Sequence, residues 1–228
     1  SFPVPNVPDG EVREYGVRRV EQKEYGIKTF LRPGEELKSI TVRSRWITGE
    51  RGRELEVVRE DMRMRGHRCL WRFIFEVRGG SIFSKSYSQE VRTQEGRLLR
   101  SESANIWSPD GRPPDEVAHP IAISEALRGV DFRAGLKRNV RLWAPEGGEA
   151  PRMIITVSGV ETVTVPAGTF KAWRVKMGLD MQQILGKWRS VEFLMKLLMP
   201  SFEFWYADTP THPLVRFEGQ FGPKTSAP

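Results

Sequence analysis

The chain has 228 residues, of which 39% are hydrophobic and 29% are charged. This composition excludes a disordered tail and a membrane-embedded bundle, and the length fits one large domain or two small ones. No apolar run is long enough for a membrane-spanning helix. The formal net charge of +7 fits either a solvated surface or an anionic partner. Because no RNA-binding, zinc-finger or basic-zipper signature accompanies it, nucleic acid is not predicted as a partner.

Residues suited to metal, disulfide or hydrolytic chemistry are few. Cys69 is the sole cysteine, so no intrachain disulfide forms, and its place at the start of an apolar strand predicts a buried thiol. The three histidines lie far apart in sequence, and neither a metal site nor a cofactor is predicted. Asp208 and His212, with Ser201 nearby, keep a hydrolase as a remote alternative, although turn formation explains the first two better. We predict no catalytic residues and no enzyme activity.

The N-terminal half is predicted to begin with an extended arm and to continue as an antiparallel meander. Residues 1–10 contain three prolines, which disfavour a helix. From residue 11 onward, strand-like segments with alternating apolar and polar residues are separated by turn signals such as Gly79-Gly80. We predict one continuous β-rich domain over residues 11–228.

Two strands of this meander have patterns that predict which side chains share a face. The first places Trp71, Phe73 and Phe75 on one face, because side chains alternate along a strand. The second, over residues 82–91, places Lys85 and Tyr87 on one face by the same alternation. We expect the aromatic face to belong to the core of the sheet.

The C-terminal half is predicted to contain a short helix and two hairpins. The helix runs over residues 122–128 and ends at a glycine. A turn with the sequence Val-Pro-Ala-Gly separates a strand over 162–165 from one over 170–177. The last pair of strands covers residues 202–207 and 214–220, joined by a turn rich in proline and threonine.

The segment 181–199 breaks the strand pattern and predicts an amphipathic helix that Pro200 ends. Its last turns are apolar on two faces, which fits core burial, a lid over a cavity, a protein interface or a membrane surface. We favour a lid or a docking surface. The predicted ligand- or partner-binding residues are the apolar side chains of this helix and three aromatic residues of the neighbouring strands: Trp188, Phe193, Leu194, Leu197, Leu198, Trp173, Phe204 and Tyr206.

Two sequence motifs in the C-terminal half resemble those of an uncharacterised bacterial family. The first contains Pro-Ala-Gly-Thr-Phe, and the second is Phe-Trp-Tyr-Ala-Asp followed by Pro-Leu-Val-Arg. Over residues 121–222 the chain is similar to periplasmic or envelope proteins with this hairpin, which resemble the half-barrel of periplasmic lipoprotein carriers. Five positions carry the motifs and are expected to be structural: Glu161, Pro166, Gly168, Phe170 and Trp205.

The resemblance implies a fold and a location. The implied fold is mainly β, a curved antiparallel half-barrel with one or two short helices, one of them on the concave face. The implied location is periplasmic or outer-membrane-associated, after removal of a signal peptide. Together with the apolar helix, it predicts a non-enzymatic envelope protein that binds a hydrophobic ligand, either a lipid or a lipoprotein. The alternative is an accessory subunit of a larger envelope or membrane-associated complex.

Overall fold

The part of the chain that the structure describes is mainly β, with one short helix and a strongly curled antiparallel sheet that forms a half-barrel, which confirms the predicted fold class. It divides into two compact units, Val7–Pro114 and the combination of Ser1–Asn6 with Asp115–Pro228. The prediction of one continuous domain stays a prediction. The computed structural model describes residues 2–17, 37–63, 66–106, 117–118, 122–142, 152–180 and 202–219.

The unit Val7–Pro114 contains a meander in which each strand pairs antiparallel with the next along the chain. We call it the meander sheet, and its first and last strands each have one neighbour within the meander. Short glycine-containing turns join its long central strands, as Gly79-Gly80 does with positive φ at both positions, which a two-residue hairpin favours. Its strands are β2 (Glu11–Gly16), β3 (Leu37–Gly49), β4 (Gly52–Arg63), β5 (Arg68–Arg78), β6 (Ser81–Arg92) and β7 (Leu98–Asn105).

The second unit contains a sheet with strand order β13-β12-β11-β10-β9-β8, which we call the C-terminal sheet. Its pairs are antiparallel except for β8 with β9. Helix α1 (Ile123–Ala126) continues into a 3₁₀ turn at Leu127–Gly129, as the sequence predicted. The strands of this unit are β1 (Phe2–Pro3), β8 (Val117–Ala118), β9 (Lys137–Leu142), β10 (Arg152–Val165), β11 (Gly168–Leu179), β12 (Phe202–Ala207) and β13 (Leu214–Glu218).

The apolar core of the meander sheet lies on the face predicted from β5. Phe73 and Phe75 are buried, and Trp71 is half-buried with its ring stacked on that of Phe73 at 6.3 Å between centroids. The buried side chains of Leu55 and Val57 lie beside them on β4. Cys69 is also buried, as predicted.

The predicted alternation along β6 is wrong at one position because the strand contains a bulge. The register with β5 shifts between Ile74 and Phe75, which leaves Lys85 as the extra residue on β6. Ser84 and Tyr87 therefore lie opposite the buried residues Phe75 and Phe73 of β5. The Lys85 side chain instead binds the Glu54 carboxylate at 2.7 Å. A bulge of this kind reverses the relation between residue number and face.

A second bulge interrupts β10. The register with β11 shifts between Val157 and Gly159, and Gly159 has a φ of +140°. Glycine adopts this backbone region without the steric cost that other residues incur. Because of the shift, Val157 and Val163 are both buried but lie on opposite faces of the C-terminal sheet.

Candidate functional site

Aromatic side chains form a continuous row on one face of the C-terminal sheet. Strand β12 places Phe202, Phe204 and Tyr206 on the same face, because they alternate with residues that point to the other side. The rings of Phe204 and Tyr206 are 6.2 Å apart, and that of Phe204 lies 5.0 Å from the ring of Phe217 on β13. We call the set of connected rings the aromatic row: Trp173, Phe132, Tyr206, Phe204, Phe217 and Phe202.

Phe132, which follows the helical segment, connects the row to β11. Its ring lies 5.2 Å from the ring of Tyr206 and 6.4 Å from that of Trp173. It also contacts the His212 ring edge-on at 5.0 Å. Phe132, Tyr206 and Phe204 are buried, whereas the residues at both ends of the row are half-buried. The row therefore has a buried centre and two partly exposed ends.

The polar atoms of the row bond to groups at its margin. The Trp173 indole donates to Asp208 Oδ1 at 2.8 Å, and the Tyr206 hydroxyl donates to the carbonyl of Ser124 at 2.9 Å. Buried or half-buried tyrosine and tryptophan need such partners, since an unsatisfied donor in an apolar site costs free energy. With these bonds made, the rings present apolar surface along the face.

A buried arginine joins helix α1 to the turn between β12 and β13. The Arg128 side chain is fully buried, and its Nε and Nη2 donate to the carbonyl of Thr211 at 3.1 and 2.9 Å. Its Nη1 donates to Glu125 at 3.3 Å. The same turn contains His212, which has a φ of +41°. Because a buried guanidinium requires both a counter-charge and acceptors, Arg128 fixes the helix against this turn.

The opposite face of the C-terminal sheet contains the predicted motif residues Glu161 and Trp205. The Trp205 indole is buried and donates to Glu161 Oε1 at 2.5 Å. The guanidinium groups of Arg174 and Arg216 lie 5.5 and 4.8 Å from its ring. A hydrogen bond from Arg174 to Glu203 raises the pKa of Arg174, so this cation stays charged beside the indole.

The remaining motif residues form and follow the β10–β11 hairpin. Pro166 lies in its turn, and Gly168, with a φ of +137°, begins β11. Phe170 is half-buried and pairs with Val163 across the hairpin. Gly168 thus adopts a backbone region that favours glycine.

The predicted ligand-binding residues fall into two groups. Trp173, Phe204 and Tyr206 come together in the aromatic row, on neighbouring strands β11 and β12. The other five lie outside the described residues: Trp188, Phe193, Leu194, Leu197 and Leu198. The predicted amphipathic helix over 181–199, and with it the predicted lid, therefore stays a prediction.

Sequence reasoning missed Phe132, Phe202 and Phe217 as members of the row. Phe202 could have been found, since it lies two residues before Phe204 and shares its face. Phe217 lies directly opposite Phe204 in the register of the last two strands, so only their pairing reveals it. Phe132 lies outside any strand, and no local pattern indicates where its ring packs.

The pair that suggested a remote hydrolase has other partners. The Asp208 carboxylate accepts the bond from Trp173, and His212 Nδ1 lies 3.2 Å from the carbonyl of Ala207. Ser201 lies outside the described residues. The prediction that the protein is not an enzyme stays a prediction.

Comparison with protein families, with curated proteins and with solved structures finds no match to this chain. The resemblance to periplasmic envelope proteins thus stays an expectation. Within the described ranges, no helix is long and apolar enough to cross a membrane. The same residues contain no group of three or more histidine, cysteine or carboxylate side chains suited to a metal ion.

Proposed function

We propose that this protein binds an apolar ligand, the acyl chain of a lipid or of a lipidated protein, along the aromatic row. One observation carries the proposal: six connected aromatic rings lie on one sheet face, with half-buried rings at both ends. Ligand sites are lined mainly by apolar and aromatic side chains with few polar groups. An extended acyl chain suits a row of this kind because it makes contacts along its length.

The distribution of polar groups also supports an apolar ligand. Asp208 and the Ser124 carbonyl bind the polar atoms of Trp173 and Tyr206 at the margin of the row. The adjacent strand positions on β10 and β11 are the buried apolar residues Val157 and Val175. Burial of apolar surface is therefore the main favourable contribution that this face can offer.

The resemblance to envelope proteins adds a location to the proposal, the periplasm or the outer membrane of a bacterium. The same resemblance favours a lipoprotein as one source of the acyl chain. The alternative function is an accessory subunit that docks through the helix predicted over 181–199, through the proline-rich arm of residues 1–10, or through both. The first of these segments lies outside the described part of the chain.

The first test is to identify what the native protein carries. Native mass spectrometry and lipid extraction of the full chain, purified from the cells that produce it, should reveal a bound acyl lipid. A ligand-free mass, together with no binding of a fluorescent long-chain fatty acid by the purified protein, would refute the proposal.

A matched pair of variants locates the site. Phe217→Ala removes a half-buried ring at the end of the row, and Phe170→Ala removes a half-buried ring that lies off the row. We expect Phe217→Ala to weaken fatty-acid binding about 10-fold, since truncation removes apolar contact area. Phe170→Ala should bind within about 2-fold of the wild type. Equal losses in the two variants would place the ligand elsewhere.

A further inference from the structure

One face of the meander sheet has four arginine side chains around its central strand β4. Two of them belong to β3 and two to β5, on either side of Glu56 and Glu60 of β4. Neighbouring strands are about 4.8 Å apart, so the two pairs of arginines flank a strip about 10 Å wide. We call this surface the arginine face: Arg43, Arg45, Arg68 and Arg72.

Glu56 and Glu60, the two carboxylates that lie between these arginines, are each shared by two guanidinium groups. Glu56 pairs with Arg45 and with Arg72, whose Nε lies 3.5 Å from the carboxylate. Glu60 pairs with the other two arginines, at 2.7 and 3.5 Å. Around Glu56 and Glu60, four positive charges therefore meet two negative ones, and the local excess is positive.

The positive charges also lie on the solvent side. The four arginine side chains are 44% to 61% exposed, whereas those of Glu56 and Glu60 are 5% and 14% exposed. A partner that approaches this face meets the guanidinium groups before the carboxylates. A guanidinium has five N–H donors in a planar fork that matches phosphate oxygens.

An exposed apolar side chain adjoins the arginines. Val12 on β2 is directly opposite Arg43 in the strand register, so both point to the same side, and Val12 is 56% exposed. Basic residues combined with exposed apolar residues are typical of surfaces that bind at the boundary between lipid headgroups and acyl chains.

We propose that the arginine face docks on an anionic phospholipid bilayer. Lipid phosphates bind the guanidinium groups, and Val12 enters the headgroup region beside Arg43. Charge complementarity alone would also fit an acidic protein, but the exposed valine favours a surface with both phosphate and apolar parts. This proposal does not depend on the aromatic row, which lies in the other unit.

Vesicle flotation of the full chain tests the proposal. The wild type should float with phosphatidylcholine vesicles that contain phosphatidylglycerol, remain unbound with pure phosphatidylcholine, and dissociate at high salt. The double variant Arg43→Gln/Arg72→Gln leaves Glu60 with Arg68 and Glu56 with Arg45, so each carboxylate keeps a cation. It should bind the anionic vesicles about 30-fold more weakly.

Two control variants distinguish the surface from general charge. Arg100→Gln/Arg216→Gln removes the same charge at exposed positions off this face and should stay within about 2-fold of the wild type. Arg43→Lys/Arg72→Lys keeps the charge and should retain most binding. It tests the same two positions even if the first double variant does not fold. No binding by the wild type, equal binding to neutral vesicles, or equal losses in the two glutamine variants would overturn the proposal.

A single variant gives a change in the opposite direction. Glu14 is an exposed carboxylate on β2, opposite Thr41, which shares the face of Glu60. Because it repels lipid phosphates, Glu14→Gln should strengthen vesicle binding. Weaker or unchanged binding would contradict the docking orientation.

Discussion

The two sheets bury different kinds of side chain. In the meander sheet, β4 alone buries four charged side chains: Glu54, Glu56, Arg59 and Asp61. In the C-terminal sheet, β12 buries Phe204, Trp205, Tyr206 and Ala207, and the buried charges that the structure describes in this unit lie in the helical segment, at Glu125 and Arg128.

The difference shows two ways to stabilise a strand that has little exposed surface. A buried carboxylate is tolerated only with a nearby cation. In the meander sheet Lys85 of β6 supplies it for Glu54, and Arg59 of β4 itself supplies it for Asp61. Buried rings need no counter-charge, so β12 can bury apolar side chains on both of its faces. An apolar face of this kind is compatible with an apolar ligand, whereas an ion-paired face is suited to a charged partner.

The largest expected effect comes from removing one core ring in each sheet. Phe73→Ala and Phe204→Ala should each lower the free energy of unfolding by about 4 kcal/mol, because each removes a buried phenyl group and leaves a cavity. Chemical denaturation measures both. The half-buried Phe202 is the control, and Phe202→Ala should cost clearly less. A thermal midpoint unchanged by Phe73→Ala would mean that this face is not a core.

The next largest effect concerns the buried charge of the C-terminal unit. Arg128→Met should lower the free energy of unfolding by about 3 kcal/mol, because it removes a buried charge partner of Glu125 and two hydrogen bonds to the Thr211 carbonyl. Arg133→Met, at an exposed position, should change stability by less than about 0.5 kcal/mol. If both variants had the same denaturation midpoint, the buried pair would contribute nothing to stability.

Alkaline pH should weaken the meander sheet through Tyr87. Burial raises the pKa of Tyr87 to about 12, and the nearby Glu102 carboxylate adds to the shift. The folded state therefore favours the neutral phenol, so this contribution is complete below pH 10 and is lost as the pH rises toward 12. The loss should reach about 2 kcal/mol. Denaturation at a series of pH values should show a steeper alkaline decline for the wild type than for Tyr87→Phe.

The smallest effect is expected at the half-exposed ion pairs of the meander sheet. Arg45→Gln should lower the free energy of unfolding by less than about 1 kcal/mol, because the Arg45 side chain is exposed to solvent and the buried Glu56 keeps Arg72 as a partner. Calorimetry of the variant at low and high salt checks this. A loss of several kcal/mol would show that the carboxylate depends on Arg45 alone.

Much of the local structure could be predicted from the sequence. The helix ending at Gly129, the Gly79-Gly80 turn and the hairpin with Gly168 follow from glycine placement and residue pattern. The face shared by Phe73 and Phe75 follows from strand alternation. These features depend on residues that are close in sequence, so local patterns contain the necessary information.

Tertiary structure decided the features that join distant residues. The bulges at Lys85 and Gly159 change which residues share a face, and only the pairing with a neighbouring strand reveals them. Of the candidate site, the sequence identified Trp173, Phe204 and Tyr206 but not Phe132.

The amino-acid sequence by itself determined that this protein is a mainly β chain with a positive net charge and glycine-defined turns. It did not determine which charges are buried or which rings meet. Arg128 is fully buried because the Thr211 carbonyl, far along the chain, lies opposite it, and the four arginines of β3 and β5 share one face because β4 lies between them. Burial and partner choice depend on contacts between residues distant in sequence, which exist only once the strands have paired.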